Sequence, residues 1–162
     1  TLMETIIVVA IIGMAALVTI PYFAKLSRRQ KLVSAAHEIQ QSLLAARMRA
    51  VRANQNTSLF ITVAAAGDVN HEIDIIAPDN SPAPTPTPVG KSYLPANQME
   101  FVTMPAGNKV TFSGDGRVVA PPAPTPAIIT VQGPVGGTLL NQVTIRAYPT
   151  GRIVVVTPVA WQ

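Results

Sequence analysis

Few residues of this chain have the type and spacing needed for metal or acid–base chemistry. The densest acidic group is formed by four carboxylates in the middle of the chain: Asp68, Glu72, Asp74 and Asp79. Carboxylate oxygens suit Ca²⁺, but this run lacks the alternating oxygen ligands and the glycine of a recognised calcium loop. Neither histidine, His37 or His71, has a second ligand at metal spacing, so both are interpreted as surface or capping residues. We predict no metal site and no cofactor.

Nucleophilic, redox and nucleotide-dependent chemistry also lacks its usual residues. The chain has no cysteine, which excludes a disulfide framework, a thiolate nucleophile and a cysteine zinc site. No phosphate-binding loop, G-x-S-x-G nucleophile motif or dinucleotide fingerprint is present in the sequence. We therefore predict that the protein is not an enzyme and has no catalytic residues.

Glu4 is the ionisable residue in the most unusual position, because no other charged residue follows it until Lys25. A carboxylate at the centre of a bilayer costs on the order of 2.5–3.5 kcal/mol, and less near a helix end. The positive end of the helix dipole and the free α-amino group of a neighbouring copy would offset this cost. Such a pair would also set the axial register between copies. The alternative is an acidic residue that simply favours a helix start.

Residues 5–24 form an uncharged, mostly apolar run of 20 residues, about the length a helix needs to cross ~30 Å of hydrocarbon. Basic residues that are typical of the flank of a membrane segment follow this run: Lys25, Arg28, Arg29 and Lys31. A cleaved signal peptide would have a basic leader and a small-residue cleavage site, and a buried helix would need a larger domain around it. We predict that residues 1–24 are the transmembrane and filament-core half of a long helix.

Beyond this run the helical pattern becomes amphipathic. Pro21 removes a backbone hydrogen bond and Gly13 is a second weak point, so we expect a kink at these residues. Apolar residues then recur at helical spacing in one stripe: Leu32, Ala36, Ile39, Leu43, Ala46 and Ala50. The opposite face has polar side chains: Arg29, Gln40 and Arg47. A helix over residues 1–54 would be about 80 Å long, with residues 25–54 as its amphipathic half.

From residue 55 to residue 162 the period of the apolar residues changes to two, which predicts a β-rich head. Eight strands are expected, at residues 57–63, 71–76, 99–103, 109–112, 117–120, 127–131, 143–147 and 152–157. Glycine and proline mark turns between them, at residues 114–116, 133–134, 136–137 and 149–151. The predicted fold class is α+β: a long N-terminal helix packed by its second half against an antiparallel β-sheet head.

Two proline- and threonine-rich segments, at residues 79–90 and 121–127, interrupt this head. Proline cannot donate a hydrogen bond to a sheet, so we expect both segments to be extended surface loops. A further hypothesis is O-linked glycosylation, because such tracts keep hydroxyl groups exposed. The candidate acceptors are Ser81, Thr85, Thr87 and Thr125.

The N-terminal stretch T-L-M-E-T-I-I-V-V-A-I-I-G, followed by Pro21 and an amphipathic helix, resembles the type IV pilin and type II secretion pseudopilin superfamily. The segments at residues 45–55 (AARMRAVRANQ) and 150–156 (TGRIVVV) are similar to the FimT and GspH-like subgroup. The resemblance therefore implies a pilin-like fold and a structural role in a filament.

The resemblance also implies processing, partners and location. A prepilin peptidase would remove a leader, and the first residue, usually a Phe immediately before the Thr-Leu pair, would be N-methylated. Here the pair is Thr1 and Leu2, and the resemblance implies a methylated Phe ahead of Thr1. Glu4 would recruit the subunit to a growing filament through a neighbour's N-terminus. The partners would be copies of the chain in a helical filament and an inner-membrane assembly platform. The subunit would reside in the inner membrane before assembly, and afterwards in an extracellular filament or a periplasm-spanning pseudopilus.

The distribution of basic residues leaves a second function open. Seven of the twelve lie between Lys25 and Arg52, so the net charge of +4 belongs mainly to the helix. Arg146 and Arg152 could contact DNA, as in some FimT-like minor pilins, or simply face solvent on one hairpin. The alternative to a filament subunit is therefore a minor pilin or pseudopilin of a type II secretion or DNA-uptake system.

Overall fold

One long α-helix precedes a set of short strands in the part of the chain that the structure describes. The computed structural model describes residues 2–65, 68–77, 88–96, 99–122, 124–133 and 142–157. Within the helix it describes the backbone alone at residues 18–22, 24, 25 and 28. The order of a long helix followed by antiparallel strands confirms the predicted α+β class.

The helix, α1, extends over Leu2–Ala53 and contains 52 residues, which corresponds to about 78 Å. It continues without interruption through Gly13 and Pro21. The side chain of Pro21 lies outside the described residues, and the predicted kink stays a prediction. The helix ends where Asn54 adopts a left-handed conformation with φ of +49°, the conformation that commonly follows the last helical turn.

The first half of α1 extends away from any core. The side chains of residues 2–17 are all exposed. Among the described residues, no helix is both long enough and apolar enough to span a membrane. Membrane residence of residues 1–24 stays a prediction, as does the division of the chain at residues 24 and 54.

Nine strands follow α1 in the described residues. In chain order they are β1 (Thr57–Thr62), β2 (Asn70–Ile76), β3 (Gly90–Pro95), β4 (Glu100–Thr103), β5 (Lys109–Phe112), β6 (Val118–Ala120), β7 (Ala127–Gln132), β8 (Gln142–Ala147) and β9 (Ile153–Val156). Sheet A has the order β3-β2-β1-β5-β6, and sheet B has the order β4-β7-β8-β9. All of the pairings are antiparallel.

The strands differ from the prediction in two respects. Each of the eight predicted segments overlaps an observed strand, but β3 was not expected, and Gly90, its first residue, falls in the predicted loop at 79–90. Its sequence GKSYLP contains one buried apolar residue, Leu94, so alternation was too weak to predict it. The strands also divide between two sheets, because alternation identifies inward-facing residues but does not determine which strands pair.

The two sheets and the second half of α1 enclose one continuous core. The predicted helix stripe is confirmed, because all six of its residues are buried, and Ala35 joins them. Sheet A contributes Leu59, Ile61, Ile73, Leu94, Val110 and Phe112; sheet B contributes Ala127, Ile129, Val131, Val143, Ile145 and Ala147. These side chains recur at every second residue, as expected for strands with one buried face. Because α1 contacts strands of both sheets, it holds the head on its second half.

Candidate assembly and binding surfaces

Glu4 lies in the first turn of α1, where a carboxylate interacts favourably with the helix dipole. Its side chain is exposed and is surrounded along the helix by exposed apolar residues, including Leu2, Met3 and Ile7. Thr1 lies outside the described residues. The pairing of Glu4 with a neighbour's α-amino group therefore stays a prediction.

The first half of α1 presents a continuous exposed apolar surface. Its large members are Leu2, Met3, Ile6, Ile7, Val8, Val9, Ile11, Ile12, Met14 and Leu17. Exposed apolar patches of this extent mark surfaces that another protein or a membrane covers. Because the residues point to all sides of the helix, this segment can be covered on all sides by its surroundings.

A second exposed apolar feature lies on the second half of α1, beside the core stripe. Leu44, Met48 and Val51 are 39%, 54% and 50% exposed, and their spacing places them on one helix face. With Arg47 and Arg52 they line a shallow groove of about 280 Å³. We refer to these five residues as the helix groove. Its three apolar side chains and two guanidinium groups suit it to an apolar segment that carries negative charge.

Arg47 does not lie on a solvated face opposite the stripe, as its position in the sequence suggested. It is partly buried, and its Nε donates a hydrogen bond to the carbonyl oxygen of Gly116 at 3.1 Å. Gly116 belongs to the turn between β5 and β6 in sheet A. The prediction was wrong because helical spacing does not reveal that a turn packs over this part of the helix.

A second turn meets Arg47 at the same point. Gly151, in the turn between β8 and β9 of sheet B, has φ of +82°, and Gly116 has φ of +80°. A Cβ atom at Gly151 would lie 2.1 Å from the Gly116 carbonyl oxygen and 2.9 Å from Arg47 Nε. Val118 N–H also donates to the Pro149 carbonyl oxygen at 3.1 Å. We call this contact of Arg47, Gly116 and Gly151 the helix–turn junction. Arg47 lies in the segment AARMRA and Gly151 in the segment TGR.

Arg146 and Arg152 are brought onto one surface. Arg146 pairs with Val154 across β8 and β9, and the backbone pairing continues to Tyr148 N–H, which donates to the Arg152 carbonyl oxygen at 2.8 Å. Since side chains alternate along each strand, both arginines point to the outer face of sheet B. Both are exposed. The structure therefore agrees with a hairpin that carries two outward arginines.

Arg117 is close to this hairpin, because the next residue, Val118, is the one bonded to Pro149. Its Nε lies 3.2 Å from Asp115 Oδ2. The hydrogen bond from the Ser113 hydroxyl, followed by the Arg117 backbone N–H, lowers the pKa of Asp115. Arg117 is thus near the hairpin along the backbone, and part of its charge is balanced by Asp115.

The two head lysines lie on sheet A instead. Lys91, on β3, is paired with Glu72 and lies 3.6 Å from Asp74 Oδ1. Lys109, on β5, has its Nζ 5.1 Å from the centre of the Phe60 ring. β3 is the edge of sheet A opposite to β6, which is the strand next to the β8–β9 turn. Lys91 therefore does not join the arginine surface.

Of the acidic group, the structure brings Glu72 and Asp74 together on β2. Burial, and then the neighbouring Glu72, raise the pKa of Asp74 above its ordinary value, whereas Lys91 acts in the opposite direction. The hydrogen bond to Glu72 is the main factor that raises the pKa of Lys91. Asp79 lies outside the described residues. Among the described residues, no group of three or more potential ligands could bind a metal ion.

The two histidines differ. His37 is exposed on α1, where its Nδ1 lies 3.2 Å from Gln40 Oε1. His71 is 4% exposed, with Nδ1 3.0 Å from the backbone N of Ala64 and Nε2 3.2 Å from the Met99 carbonyl oxygen. Of the two interpretations of His71, surface or capping residue, the surface one was wrong, because His71 lies on the same face of β2 as the buried Ile73.

The proposed glycosylation sites are described only in part. Thr125 is exposed, and its hydroxyl donates to the Pro122 carbonyl oxygen at 3.3 Å. Ser81, Thr85 and Thr87 lie outside the described residues. Glycosylation of these four residues stays a prediction.

The arrangement of α1 and the head defines the class of protein: a pilin-like α+β subunit with a long N-terminal helix. The sequence profile of the family described as Type II transport protein GspH matches residues 35–158, and the chain belongs to that family. The resemblance to pilins and pseudopilins of the GspH-like subgroup is thereby confirmed. No curated protein sequence matches the chain.

Solved structures with the same fold support this assignment. The chain is similar to the type IV minor pilin FimU of Pseudomonas aeruginosa, with a TM-score of 0.59 and 22% identity over 79% of this chain and 90% of FimU. It is also similar to EpsH, the minor pseudopilin from the Type 2 Secretion System of Vibrio cholerae. That comparison has a TM-score of 0.51 and 17% identity, over 80% of this chain and 98% of EpsH. At these identities the likeness shows the fold alone.

Proposed function

We propose that the chain is a structural subunit of a type IV pilus-like filament and polymerises through α1. The observation that carries this proposal is the contrast between the two halves of one helix. The second half is buried against both sheets by its apolar stripe, whereas residues 2–17 expose their apolar side chains. Burying that surface against the helices of neighbouring subunits would stabilise a polymer at about 25 cal/mol per Å² of apolar area.

This proposed role implies a series of steps that takes the subunit from the membrane to the filament. Before assembly, residues 1–24 would hold the subunit in the inner membrane, where a prepilin peptidase removes a leader and the new N-terminus is methylated. An assembly platform would then transfer the subunit to a filament that contains copies of itself, outside the cell or across the periplasm. Glu4, next to a neighbour's α-amino group, would set the axial register. The chain would act as a structural subunit and not as an enzyme.

The decisive experiment removes the charge of Glu4 without changing its shape. Glu4→Gln should lower the number of surface filaments at least about tenfold, because an unpaired α-amino group in an apolar bundle costs more than 1.4 kcal/mol. Filaments would be counted by electron microscopy, and the subunit in the membrane by immunoblot. Glu100→Gln, which removes an exposed carboxylate from the head, is the matched control. Normal filament numbers with Glu4→Gln would contradict the register model.

Peptide mass spectrometry on sheared filaments tests the position of the chain in the polymer. A chain that dominates the preparation, with a methylated residue ahead of Thr1, is the bulk subunit. A trace amount beside another pilin supports the minor-subunit alternative, in a secretion or DNA-uptake system. FimU is a minor pilin and EpsH a minor pseudopilin, and the alternative carries that role over to this chain from the shared fold.

A second candidate function is DNA binding through the outer face of sheet B. The observation that favours it is the common surface of Arg146 and Arg152, with Arg117 nearby. Each guanidinium group that contacts a phosphate releases a counterion, so affinity should fall steeply with salt.

The test compares a double variant with a control of similar charge. Arg146→Gln/Arg152→Gln should weaken binding to a duplex and reduce the magnitude of the salt slope by about 2. Lys91→Gln/Lys109→Gln, which also removes two positive charges but from sheet A, should change neither quantity by as much. Equal effects of the two changes would indicate attraction to net charge only and would contradict a site on this hairpin.

A further inference from the structure

The turn between β5 and β6 contains Asp115 and Gly116, the one place in the chain where an aspartate or asparagine directly precedes a glycine. The other aspartates precede Val69, Ile75 and Asn80. Glycine has no Cβ atom, so the amide nitrogen that follows Asp115 is not shielded from the neighbouring carboxyl group. Attack of a backbone nitrogen on a side-chain carboxyl group is the first step of aspartate isomerisation. The sequence therefore makes Asp115 the aspartate of this chain that is most open to that reaction.

Isomerisation starts from the protonated carboxyl group of Asp115 and requires no reactant except water. The amide nitrogen of Gly116 attacks Cγ and forms a C–N bond, and the carboxyl hydroxyl leaves with the amide proton as water. The product is a five-membered succinimide ring. Hydrolysis of the ring at the backbone carbonyl carbon of Asp115 breaks the original peptide bond and leaves isoaspartate. The main chain then passes through the side chain of Asp115 and is one methylene group longer, with no change in mass.

The folded turn restrains the amide nitrogen that would attack. Gly116 N–H donates to the Ser113 carbonyl oxygen at 2.8 Å, so the proton that must leave is held in a hydrogen bond. Gly116 is also buried, and a Cβ atom on it would lie 3.1 Å from Val51 Cγ2 and 3.2 Å from Arg47 Nε. Because Gly116 is packed this closely against α1, its nitrogen must leave the hydrogen bond of the turn before it can approach Cγ of Asp115.

The carboxylate of Asp115 is held by three donors. Oδ1 accepts from the Ser113 hydroxyl and, at 3.2 Å, from the Arg117 backbone N–H. Oδ2 lies 3.2 Å from Arg117 Nε. The Ser113 hydroxyl, followed by the Arg117 backbone N–H, lowers the pKa of Asp115, so the protonated form that reacts is scarcer at neutral pH. These contacts keep the carboxyl group ionised and fixed in the turn.

We propose that Asp115 is a site of spontaneous isomerisation to isoaspartate, and that Ser113 and Arg117 suppress the reaction while the turn is folded. The added methylene group would lie directly before Gly116, whose carbonyl oxygen accepts from Arg47 Nε at 3.1 Å. An added Cβ atom at Gly151 would lie 2.1 Å from the same oxygen, so the two turns have no space for a longer backbone. Isomerisation therefore displaces Gly116 and opens the helix–turn junction. The reaction concerns the head alone and is independent of polymerisation.

The rate of isoaspartate formation in the full, unsubstituted chain is the first test. The folded protein in detergent micelles and the same chain unfolded in guanidinium chloride would be incubated at equal pH and temperature. Peptide mass spectrometry with electron-transfer fragmentation would quantify isoaspartate at residue 115 over time. The folded chain should isomerise at least about tenfold more slowly, because the turn must open before the nitrogen can reach Cγ. Equal rates in the two states would overturn the proposal.

A pair of variants isolates the contribution of the Ser113 hydroxyl. Ser113→Ala should raise the rate in the folded chain about fivefold, since it removes one hydrogen bond to the carboxylate. Ser113→Thr retains a hydroxyl group and is the matched control, with a rate close to that of the unsubstituted protein. Asp115→Glu, which would have to form a six-membered ring, gives the background of the assay. Equal rates in Ser113→Ala and Ser113→Thr would contradict the protective role of the hydroxyl, and the comparison of folded and unfolded chain does not depend on the folding of either variant.

Hydrogen exchange tests the effect on the helix–turn junction. Ion-exchange chromatography of aged protein would separate chains with isoaspartate from unmodified chains. Protection of Val118 N–H, which donates to the Pro149 carbonyl oxygen, should fall at least about tenfold in the isomerised chain, while β7 stays protected. Unchanged protection at Val118 would overturn the claim that isomerisation opens the junction.

Discussion

At the scale of single residues, Gly151 has the least room for an added Cβ atom among the described glycines. Its φ is +82°, and an added Cβ would lie 2.1 Å from the Gly116 carbonyl oxygen. Gly151→Ala should therefore lower the free energy of unfolding by about 3 kcal/mol, from backbone strain and the displaced turn. Gly107→Ala is the control: its φ is +69°, but no atom lies within 4 Å of the added Cβ, so the loss should be about 1–2 kcal/mol.

Urea unfolding of the two variants measures this difference at equal pH and detergent concentration. If Gly151→Ala and Gly107→Ala lose the same free energy of unfolding, then the left-handed conformation alone accounts for the loss in Gly151→Ala. The close approach of the two turns would in that case have no energetic role.

Two aspartates should respond to substitution in opposite directions. Burial raises the pKa of Asp74, so the folded state binds its proton more tightly than the unfolded state, and ionised Asp74 is destabilising at neutral pH. Asp74→Asn should raise the melting temperature at pH 7, and the difference should shrink as the pH falls towards 4. The pKa of Asp115 is lowered, mainly by the Ser113 hydroxyl. Asp115→Asn should therefore lower the melting temperature at pH 7, and this loss should disappear below pH 4.

Melting temperatures of both variants between pH 3 and pH 8 test these signs. Shifts in the same direction at pH 7 would show that charge removal as such, and not the surroundings of each carboxylate, determines the effect.

Sequence reasoning at this scale succeeded where a residue's direction follows from its own element. Alternation along β8 and β9 was enough to place Arg146 and Arg152 on one hairpin. It failed for Arg47 and His71, because their partners are Gly116, Ala64 and Met99, which are brought close only by packing between elements.

At the scale of elements, the adjacent residues Leu43 and Leu44 differ in whether they pack against the sheets. Leu43 is fully buried and Leu44 is 39% exposed. Leu43→Ala should cost about 2–5 kcal/mol of stability, whereas Leu44→Ala should change it by no more than about 0.5 kcal/mol. Denaturant unfolding measures both, and equal losses would contradict the orientation of α1 on the sheets.

The elements themselves were largely predictable. The period of 3.6 in residues 32–50 and the period of two after residue 56 reflect one buried face each, and both patterns appear in the buried residues. What could not be predicted was the partition of strands. β4 follows β3 in the chain but belongs to sheet B, and β5 returns to sheet A. Such crossings depend on long-range pairing, which local periodicity does not encode.

At the scale of the whole molecule, the helix groove should affect assembly more than folding. Met48 is 54% exposed at its centre, between Arg47 and Arg52. Met48→Lys should leave the head folded but reduce filament numbers, because a further positive charge would meet the apolar helix of a neighbouring subunit. Met48→Leu should preserve both properties. Electron microscopy and unfolding curves of the same preparations test this, and normal filaments from Met48→Lys would exclude the groove from the subunit contacts.

The helix–turn junction has a mechanical consequence. A turn from sheet A and a turn from sheet B both lie against Arg47. A hydrogen bond from Val118 N–H to the Pro149 carbonyl oxygen joins the two turns. Tension applied along the shaft of a polymer would enter each head through α1 and divide at this point between the two sheets, in parallel. A head loaded in this way resists pivoting, because rotation about the shaft would have to shear both hairpins at once.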